Sequence, residues 1–203
     1  MSHSSQLSSR TASGAAAQGS TRRIQPGEYA VTGDDETLVT VLGSCISACI
    51  RDPVAKVGGM NHFMLPEDGG GGDRWLDPKV GLATRYGSHA MERLINDLLK
   101  RGGRRERFEI KLFGGGKILI SQTDVGSRNI AFIHEFLDKE GLKAVAEDLG
   151  GNTPRMLAYF PRTGKARVKH MQPLESRVIA EDERAYMKKI GTEDQSGEVE
   201  LFE

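Results

Sequence analysis

Cysteine is scarce in this sequence of 203 residues, which contains only Cys45 and Cys49. Two cysteines in a chain of this length are too few for the disulfide framework of a small secreted domain. Lysine plus arginine and aspartate plus glutamate balance at 28 each, so net charge gives no reason to expect nucleic acid or an anionic membrane as a partner.

Long hydrophobic runs are also lacking. No stretch approaches the roughly 18 apolar residues of a membrane helix, so we expect no membrane insertion. Residues 1–24 contain no apolar segment of the kind found in a secretory signal, and the expected location is therefore the cytoplasm, where thiols stay reduced. The same residues are rich in serine, alanine and glycine, and we predict a disordered tail.

What the sequence does contain is an alternation of short β-prone runs and amphipathic helical patterns. Strands are predicted at 28–33, 37–43, 46–51, 55–65, 107–116 and 142–151, with a hairpin at 155–170, and helices at 79–103, 129–141 and 174–190. This order predicts an α+β fold in which helices cover a mostly antiparallel sheet system. The domain then spans residues 25–172, and residues 173–203 form an extension made of a surface helix and a polar tail.

The stretch "TVLGSCISACIRDP" (residues 40–53) places both cysteines within five residues of each other. They are either small buried strand residues, a disulfide or metal pair, or a site with one nucleophile. A nucleophilic thiol needs a nearby base, and only His62 lies on a strand that local topology brings next to Cys45. Residue types alone favour two buried thiols and a core histidine, and the spacing does not match paired zinc ligands.

Three glycine motifs carry no catalytic signature by themselves. "FGGGKI" (113–118) lacks the first glycine and the hydroxyl residue of a phosphate-binding loop, so it is interpreted as a strand-to-loop turn. "DVGSRN" and "EDLGGNTPR" are likewise interpreted as turns. They are expected to present exposed polar groups, namely Ser127, Arg128, Asn129, Asn152 and Arg155.

The stretch "LGSCISACIRDPVAKVGGMNHFMLP" resembles the chemoreceptor glutamine deamidases, the CheD family. The resemblance continues through "FGGGKI", "VGSRN" and "AEDLGGNTPR" and covers residues 25 to 170. It implies a fold similar to that of the cytotoxic-necrotizing-factor deamidases, with two packed sheets and outer helices. It also implies conversion of glutamine side chains on methyl-accepting chemotaxis receptors into glutamate, without a metal or organic cofactor.

The resemblance further implies a catalytic set of cysteine, histidine and threonine. Cys45 matches the nucleophile and His62 the base. The threonine lies on the strand that leads to the cysteine, where Thr40 is the expected residue and Thr37 the alternative. Adjacent strand residues face opposite sides, so the register decides between candidates on this strand.

Partners and alternatives follow from the same resemblance. A CheC-type chemotaxis phosphatase is a possible partner, and the loop at 66–78, with Trp75, is a candidate wall of the substrate site. Two other classes of protein compete with a deamidase: an adaptor with an inactive site, and a cysteine peptidase or transglutaminase-like acyl transferase.

Overall fold

A computed structural model describes residues 19–66, 78–118, 124–172 and 176–192. Within these ranges the chain forms nine strands and three α-helices. The strands are β1 (Ser20–Arg23), β2 (Tyr29–Thr32), β3 (Glu36–Leu42), β4 (Ile46–Asp52), β5 (Val57–Asn61), β6 (Glu109–Gly114), β7 (Ala144–Leu149), β8 (Arg155–Phe160) and β9 (Lys165–His170). The helices are α1 (Pro78–Lys100), α2 (Val125–Lys139) and α3 (Ser176–Thr192).

The strands form two mixed sheets. The first has the order β1-β3-β8-β9 and the second β2-β5-β4-β6-β7. Most neighbours are antiparallel, and the exceptions are the parallel pairs β1–β3 and β6–β7. The chain passes from the first sheet to the second between β3 and β4, so the residues of this link lie where the two sheets meet.

Two apolar cores follow from the alternation of side chains along β4, which is the central strand of the second sheet. Ile46, Ala48 and Ile50 face α1 and α2, while Cys49 faces the first sheet. The space between the sheets is filled largely by Leu38, Leu42, Met60, Met64, Leu157 and Tyr159. Because β4 is packed on both faces, its position is fixed. The position of Cys45, the residue immediately before β4, is fixed with it.

The predicted α+β fold with two packed sheets and helices is confirmed, and two boundaries are corrected. Strand β1 begins at Ser20, inside the stretch 1–24 that we predicted to be disordered, because it pairs with β3. Helix α2 begins at Val125 and not at residue 129, because Asp124 caps it by accepting a hydrogen bond from the Ser127 N–H at 3.1 Å. The division into domain and extension stays a prediction.

Two of the described helices cover the outer face of the second sheet. Helices α1 and α2 pack on the second sheet through one apolar face each. None of the helices in the described ranges has the length and apolar character needed to span a membrane.

Candidate active site

The link Gly43–Cys45 crosses from one sheet to the other and is held by the "FGGG" turn. The N–H of Gly115 donates to the Cys45 carbonyl at 2.8 Å, and the N–H of Gly116 donates to the Gly43 carbonyl at 2.7 Å. Gly114 has a φ of +110°, and a Cβ there would lie 2.0 Å from the Cys45 oxygen. This glycine turn therefore supports the loop that carries Cys45.

His62 lies beside Cys45 because β4 and β5 are antiparallel neighbours. Ile46 and Phe63 exchange two backbone hydrogen bonds of 2.9 Å, so Cys45 lies opposite Met64 in this antiparallel pairing. His62, two residues before Met64, points to the same face and is therefore the diagonal neighbour of Cys45. The His62 N–H donates to the Glu28 carbonyl at 2.9 Å. The predicted proximity of Cys45 and His62 is thus found: the thiol sulfur and a ring nitrogen lie within 4.8 Å of each other.

Thr40 is the threonine that contacts the imidazole. Its Oγ1 lies 2.8 Å from His62 Nδ1 and donates its one proton to the Ile24 carbonyl, also at 2.8 Å. Nδ1 must therefore carry a proton and donate to Thr40, which leaves Nε2 as an acceptor. Nε2 is buried and has no hydrogen-bond partner in the described part of the chain.

The register of β3 excludes Thr37 from this contact. Leu38, Thr40 and Leu42 are buried while Thr37, Val39 and Val41 are partly exposed, as expected for a strand with one face in the core. The pairing of β3 with β8 runs from Leu38 to Leu42 without a shift. Thr40 and His62 consequently face each other from the two sheets.

Cys49 has the environment of a structural cysteine. It is fully buried, and its sulfur lies 4.0 Å from both the Met60 sulfur and the Ser47 hydroxyl. Burial raises the pKa of the Cys49 thiol far above its ordinary value, so the thiol stays protonated. The two cysteines thus have different surroundings, and only Cys45 has a histidine as a neighbour.

Asn129, which the sequence predicted to be exposed, is fully buried and bridges both halves of the site. Its Nδ2 donates to the Ser44 carbonyl at 2.8 Å, and its Oδ1 accepts from the Leu65 N–H at 3.0 Å. The "VGSRN" motif is therefore the first turn of α2, and its asparagine ties the Cys45 link to the segment after His62. An asparagine side chain offers both a donor and an acceptor, which is what a bridge between two backbone groups requires.

Arg155 is likewise buried, contrary to its predicted exposure. Its guanidinium pairs with the Asp148 carboxylate at 2.5 Å and contacts the Gly150 carbonyl. These contacts fold the "EDLGGNTPR" turn back on itself. They thus stabilise the turn itself and do not involve Cys45 or His62.

Glu183 on α3 is the residue that sequence reasoning missed. Its carboxylate is buried and accepts four hydrogen bonds from the Cys45 link. Oε1 accepts from the N–H groups of Gly43 at 2.9 Å and Cys45 at 3.2 Å. Oε2 accepts from the Ser44 N–H at 2.8 Å and the Ser44 hydroxyl at 2.6 Å. Three consecutive backbone N–H groups converging on one carboxylate form an anion-binding nest.

The burial of Glu183 could have been predicted from its position within a helical pattern of apolar residues. Ala180, Glu183, Met187 and Ile190 recur at intervals of three and four residues, which is one face of a helix. Met187 and Ile190 are buried, and Ala180 is partly buried. A carboxylate within an apolar stripe points to a specific contact, and α3 is accordingly not a solvated surface helix as predicted.

The electrostatics of the site keep both reactive groups neutral in this state. Burial raises the pKa of the Cys45 thiol well above its ordinary value, and the charge and hydrogen bonding of Glu183 raise it further. Burial lowers the pKa of His62 to about 4, although the Glu183 charge opposes this shift. The thiol and the imidazole are therefore both neutral, and the Glu183 carboxylate opposes ionisation of the thiol.

Cys45, His62 and Glu183 also have the ligand types that zinc uses. Their ligand atoms lie within 4.8 Å of one another. However, both carboxylate oxygens already accept hydrogen bonds from N–H and O–H donors. Donors that converge in this way suit an anion or a carbonyl oxygen better than a cation, so the geometry favours an acyl group at this point over a metal.

The fold and site define a protein with a buried cysteine, a histidine fixed by a threonine, and a nest of backbone N–H groups that binds a carboxylate. The family model described as "CheD chemotactic sensory transduction" matches residues 64–170. The chain belongs to the CheD family. Proteins named "Probable chemoreceptor glutamine deamidase CheD" are 48% identical over 180 residues in Halorhodospira halophila, 50% over 182 in Saccharophagus degradans and 52% over 182 in Janthinobacterium sp..

These relatives are matched over most of their length. The aligned region covers 89% of this chain in all three cases, and 83%, 84% and 88% of the respective relatives. Among solved structures, a Neisseria meningitidis protein of the DUF152 family model aligns with a TM-score of 0.38 at 9% identity, covering 66% of this chain and 64% of its own. Residues 67–77, including Trp75, lie outside the described residues, so the predicted wall at 66–78 stays a prediction.

Proposed function

We propose that this chain is a chemoreceptor glutamine deamidase in which Cys45 is the nucleophile, His62 the acid and base, and Thr40 the residue that orients His62. The observation that carries this assignment is the hydrogen bond between Thr40 and His62. Because Thr40 accepts in this bond, it selects the tautomer with the proton on Nδ1, and Nε2 is left to accept the proton of the Cys45 thiol. The activity itself follows from the names and high identity of the relatives.

The reaction proceeds in two halves. In the first, His62 Nε2 takes the Cys45 proton while the sulfur attacks the side-chain amide carbon of a glutamine. The carbon–nitrogen bond then breaks, and His62 returns the proton to the departing ammonia. In the second half, water gives a proton to His62 and attacks the thioester, which releases glutamate and restores the thiol.

Backbone N–H groups of the Cys45 link stabilise the oxyanion of both halves. The N–H groups of Gly43, Ser44 and Cys45 already converge on a carboxyl group. Removing one such donor typically costs about 3 kcal/mol of transition-state stabilisation. Because these donors are backbone groups held by the "FGGG" turn and by Asn129, they need no rearrangement during the reaction.

The substrate and location are part of the proposal. The substrate is the helical cytoplasmic part of a methyl-accepting chemotaxis receptor, and the reaction takes place in the cytoplasm, where Cys45 and Cys49 stay reduced. The association with a CheC-type phosphatase rests on the family resemblance, and copurification of the two proteins tests it.

Mass spectrometry of a purified receptor tests the proposed function. Incubation with the wild-type protein should convert specific glutamines to glutamates, each raising the peptide mass by about 1 Da. The Cys45→Ala variant should leave the receptor unchanged, and Cys49→Ala, a change of the same size four residues away, should retain activity. Equal receptor spectra with wild type and Cys45→Ala would show that the chain is not this deamidase.

An added primary amine distinguishes a deamidase from an acyl transferase. A transglutaminase-like enzyme transfers the glutamyl group to the amine, and the product then carries the mass of the amine. A deamidase yields glutamate at the same positions even when the amine is present. An adaptor with an inactive site changes neither the receptor nor the amine.

A further inference from the structure

Helix α3 brings a glutamate side chain into the site where the reaction forms glutamate. Three of the four hydrogen bonds of Glu183 come from the backbone N–H groups that serve the substrate's carbonyl oxygen in the proposed reaction, and the fourth comes from the Ser44 hydroxyl. Its oxygens, the Cys45 sulfur and a ring nitrogen of His62 lie within 4.8 Å of one another. A glutamate carboxylate in this position has the chemistry and the placement of the reaction product.

The Cys45 link is shaped to admit a side-chain carboxyl group. A Cβ on Gly43 would lie 2.0 Å from Ile118 Cδ1 and 2.8 Å from Glu183 Oε2, so a larger residue there would collide with both side chains. Glu183 itself is only 3% exposed. A buried carboxylate is costly unless several donors satisfy it, and here consecutive backbone N–H groups and a hydroxyl do so.

The two ends of α3 differ in burial. Near its C-terminal end Met187 and Ile190 are buried and the Tyr186 hydroxyl hydrogen-bonds that of Tyr86, whereas Val178 near its start is 62% exposed. A cavity of about 690 Å³ separates part of the helix from the body of the protein. It extends to Thr40 and His62 and is lined on the body side by Arg23, Ile24, Gln25, Pro26, Val41 and Met171.

We propose that α3 is an internal product analogue that occupies the docking surface of the substrate helix and places Glu183 where the reacting side chain binds. This inference rests on the proposed function and identifies the form in which the glutamine is presented, namely on an α-helix that replaces α3. The helix and the receptor segment exclude each other. Release of α3 exposes Cys45 and removes the negative charge that opposes thiolate formation.

The substitution Glu183→Gln turns the product analogue into an internal substrate. The carbon of the introduced amide accepts the Cys45 sulfur, its nitrogen leaves as ammonia with the proton held by His62, and water hydrolyses the thioester to regenerate Glu183 and the free thiol. The purified full-length variant should therefore revert to glutamate at this position. Trypsin releases residues 178–184, "VIAEDER" in the wild-type chain, and in the variant peptide the reversion raises the mass by about 1 Da.

Two control variants make this readout specific. The double variant Cys45→Ala, Glu183→Gln should keep its glutamine. Glu181→Gln places a glutamine in the same tryptic peptide, two residues from the test position and on an exposed part of α3, and it should also stay unchanged. Reversion confined to position 183 and dependent on Cys45 supports the inference.

Alkylation of Cys45 by iodoacetamide gives a second readout that does not depend on deamidase activity. Glu183→Ala and, separately, Met187→Asp should each speed the alkylation of Cys45 by about tenfold or more, because the thiol becomes accessible and more of it ionises. Glu181→Ala, an exposed change on the same helix, should leave the rate at the wild-type value, and labelling of Cys49 should not change.

The outcomes separate this inference from the proposed function. If the wild-type chain deamidates a receptor but the glutamine of Glu183→Gln persists, the product-analogue inference is overturned and the proposed function stands. If neither this introduced glutamine nor the receptor changes, the proposed function fails, and the alkylation rates then decide whether α3 covers Cys45. Unchanged alkylation in both Glu183→Ala and Met187→Asp overturns the inference in either case.

Discussion

The hydroxyl of Thr40 accepts a hydrogen bond from Nδ1 of His62 at 2.8 Å while it donates its own proton to the carbonyl of Ile24 at the same distance. Thr40 lies on the first sheet and His62 follows a strand of the second, so this bond fixes the orientation of the imidazole relative to the first sheet. Because its single proton is engaged, the tautomer of His62 is fixed and Nε2 is an acceptor. A catalytic base needs both features, orientation and a free lone pair.

Replacement of Thr40 by valine tests this relationship. Valine keeps the volume but offers no acceptor, so kcat should fall about tenfold to a hundredfold, the equivalent of one lost hydrogen bond to the base. Thr40→Ser keeps the hydroxyl and should restore most of the rate. The measurement is receptor deamidation over a range of pH, and equal activity of the valine and serine variants would contradict the assignment.

Asn129 should act as a positioning residue. Its amide joins the Ser44 carbonyl to the Leu65 N–H, and these two segments carry Cys45 and His62. Asn129→Ala leaves two buried groups without partners, so we expect a loss of about 2 kcal/mol in stability and a lower kcat with little change in KM. Alkylation and deamidation kinetics measure the effect on the site.

A residue on the same helix provides the control for Asn129. His134 is exposed and pairs with Glu147 on the neighbouring strand. His134→Ala should change stability by less than about 1 kcal/mol and leave kcat unaltered. If both variants lose the same activity, the effect of Asn129 reflects a general weakening of α2 and not the position of Ser44.

The sequence predicted the parts of the site that depend on local pairing. Cys45 and His62 lie at the ends of neighbouring strands joined by a short turn, and such proximity follows from topology alone. The resemblance to the CheD family pointed to a threonine on β3, and the alternation along this strand explains why Thr40 and not Thr37 contacts His62. In these cases a short-range rule sets the geometry.

The contacts that the sequence did not predict are long-range. Glu183 is 138 residues from Cys45, and Asn129 is 85 residues from Ser44. Nothing in a helix or strand pattern determines which distant polar group will reach a buried backbone donor. Only tertiary packing brings such groups together. Asn129, which was predicted to be exposed in a turn, is for this reason buried and hydrogen-bonded within the site.

His62 should make stability depend on pH in a defined window. Burial lowers its pKa from 6.5 to about 4, so between these values the unfolded chain binds more protons than the folded one. Stability therefore falls as pH drops. Between pH 7 and pH 5, His62 should lower the free energy of unfolding by about 2 kcal/mol. Urea unfolding of wild type and His62→Gln at both pH values isolates this contribution. Parallel pH dependence in the two proteins would contradict it.

Asp52, far from the site, should be one of the main polar determinants of stability. Its buried carboxylate accepts bonds from the N–H groups of Val54, Ala55 and Arg104 and pairs with Arg107 at 2.5 Å. Burial by itself raises the pKa of Asp52, but the bond from Arg107 and the backbone donors outweigh it and lower the pKa to about 2. The stability that Asp52 supplies is therefore present above about pH 4 and lost as pH falls toward 2.

Asp52→Asn should consequently destabilise the protein by about 3 kcal/mol at neutral pH, because Arg107 loses its charged partner and one side of the amide opposes the remaining donors. Asp97→Asn, which breaks the exposed pair with Arg101 on α1, should cost less than about 1 kcal/mol. Denaturant unfolding at pH 7 and at pH 3 measures both. The difference between wild type and Asp52→Asn should shrink at pH 3, and an unchanged difference would show that the charge of Asp52 is not what stabilises the turn.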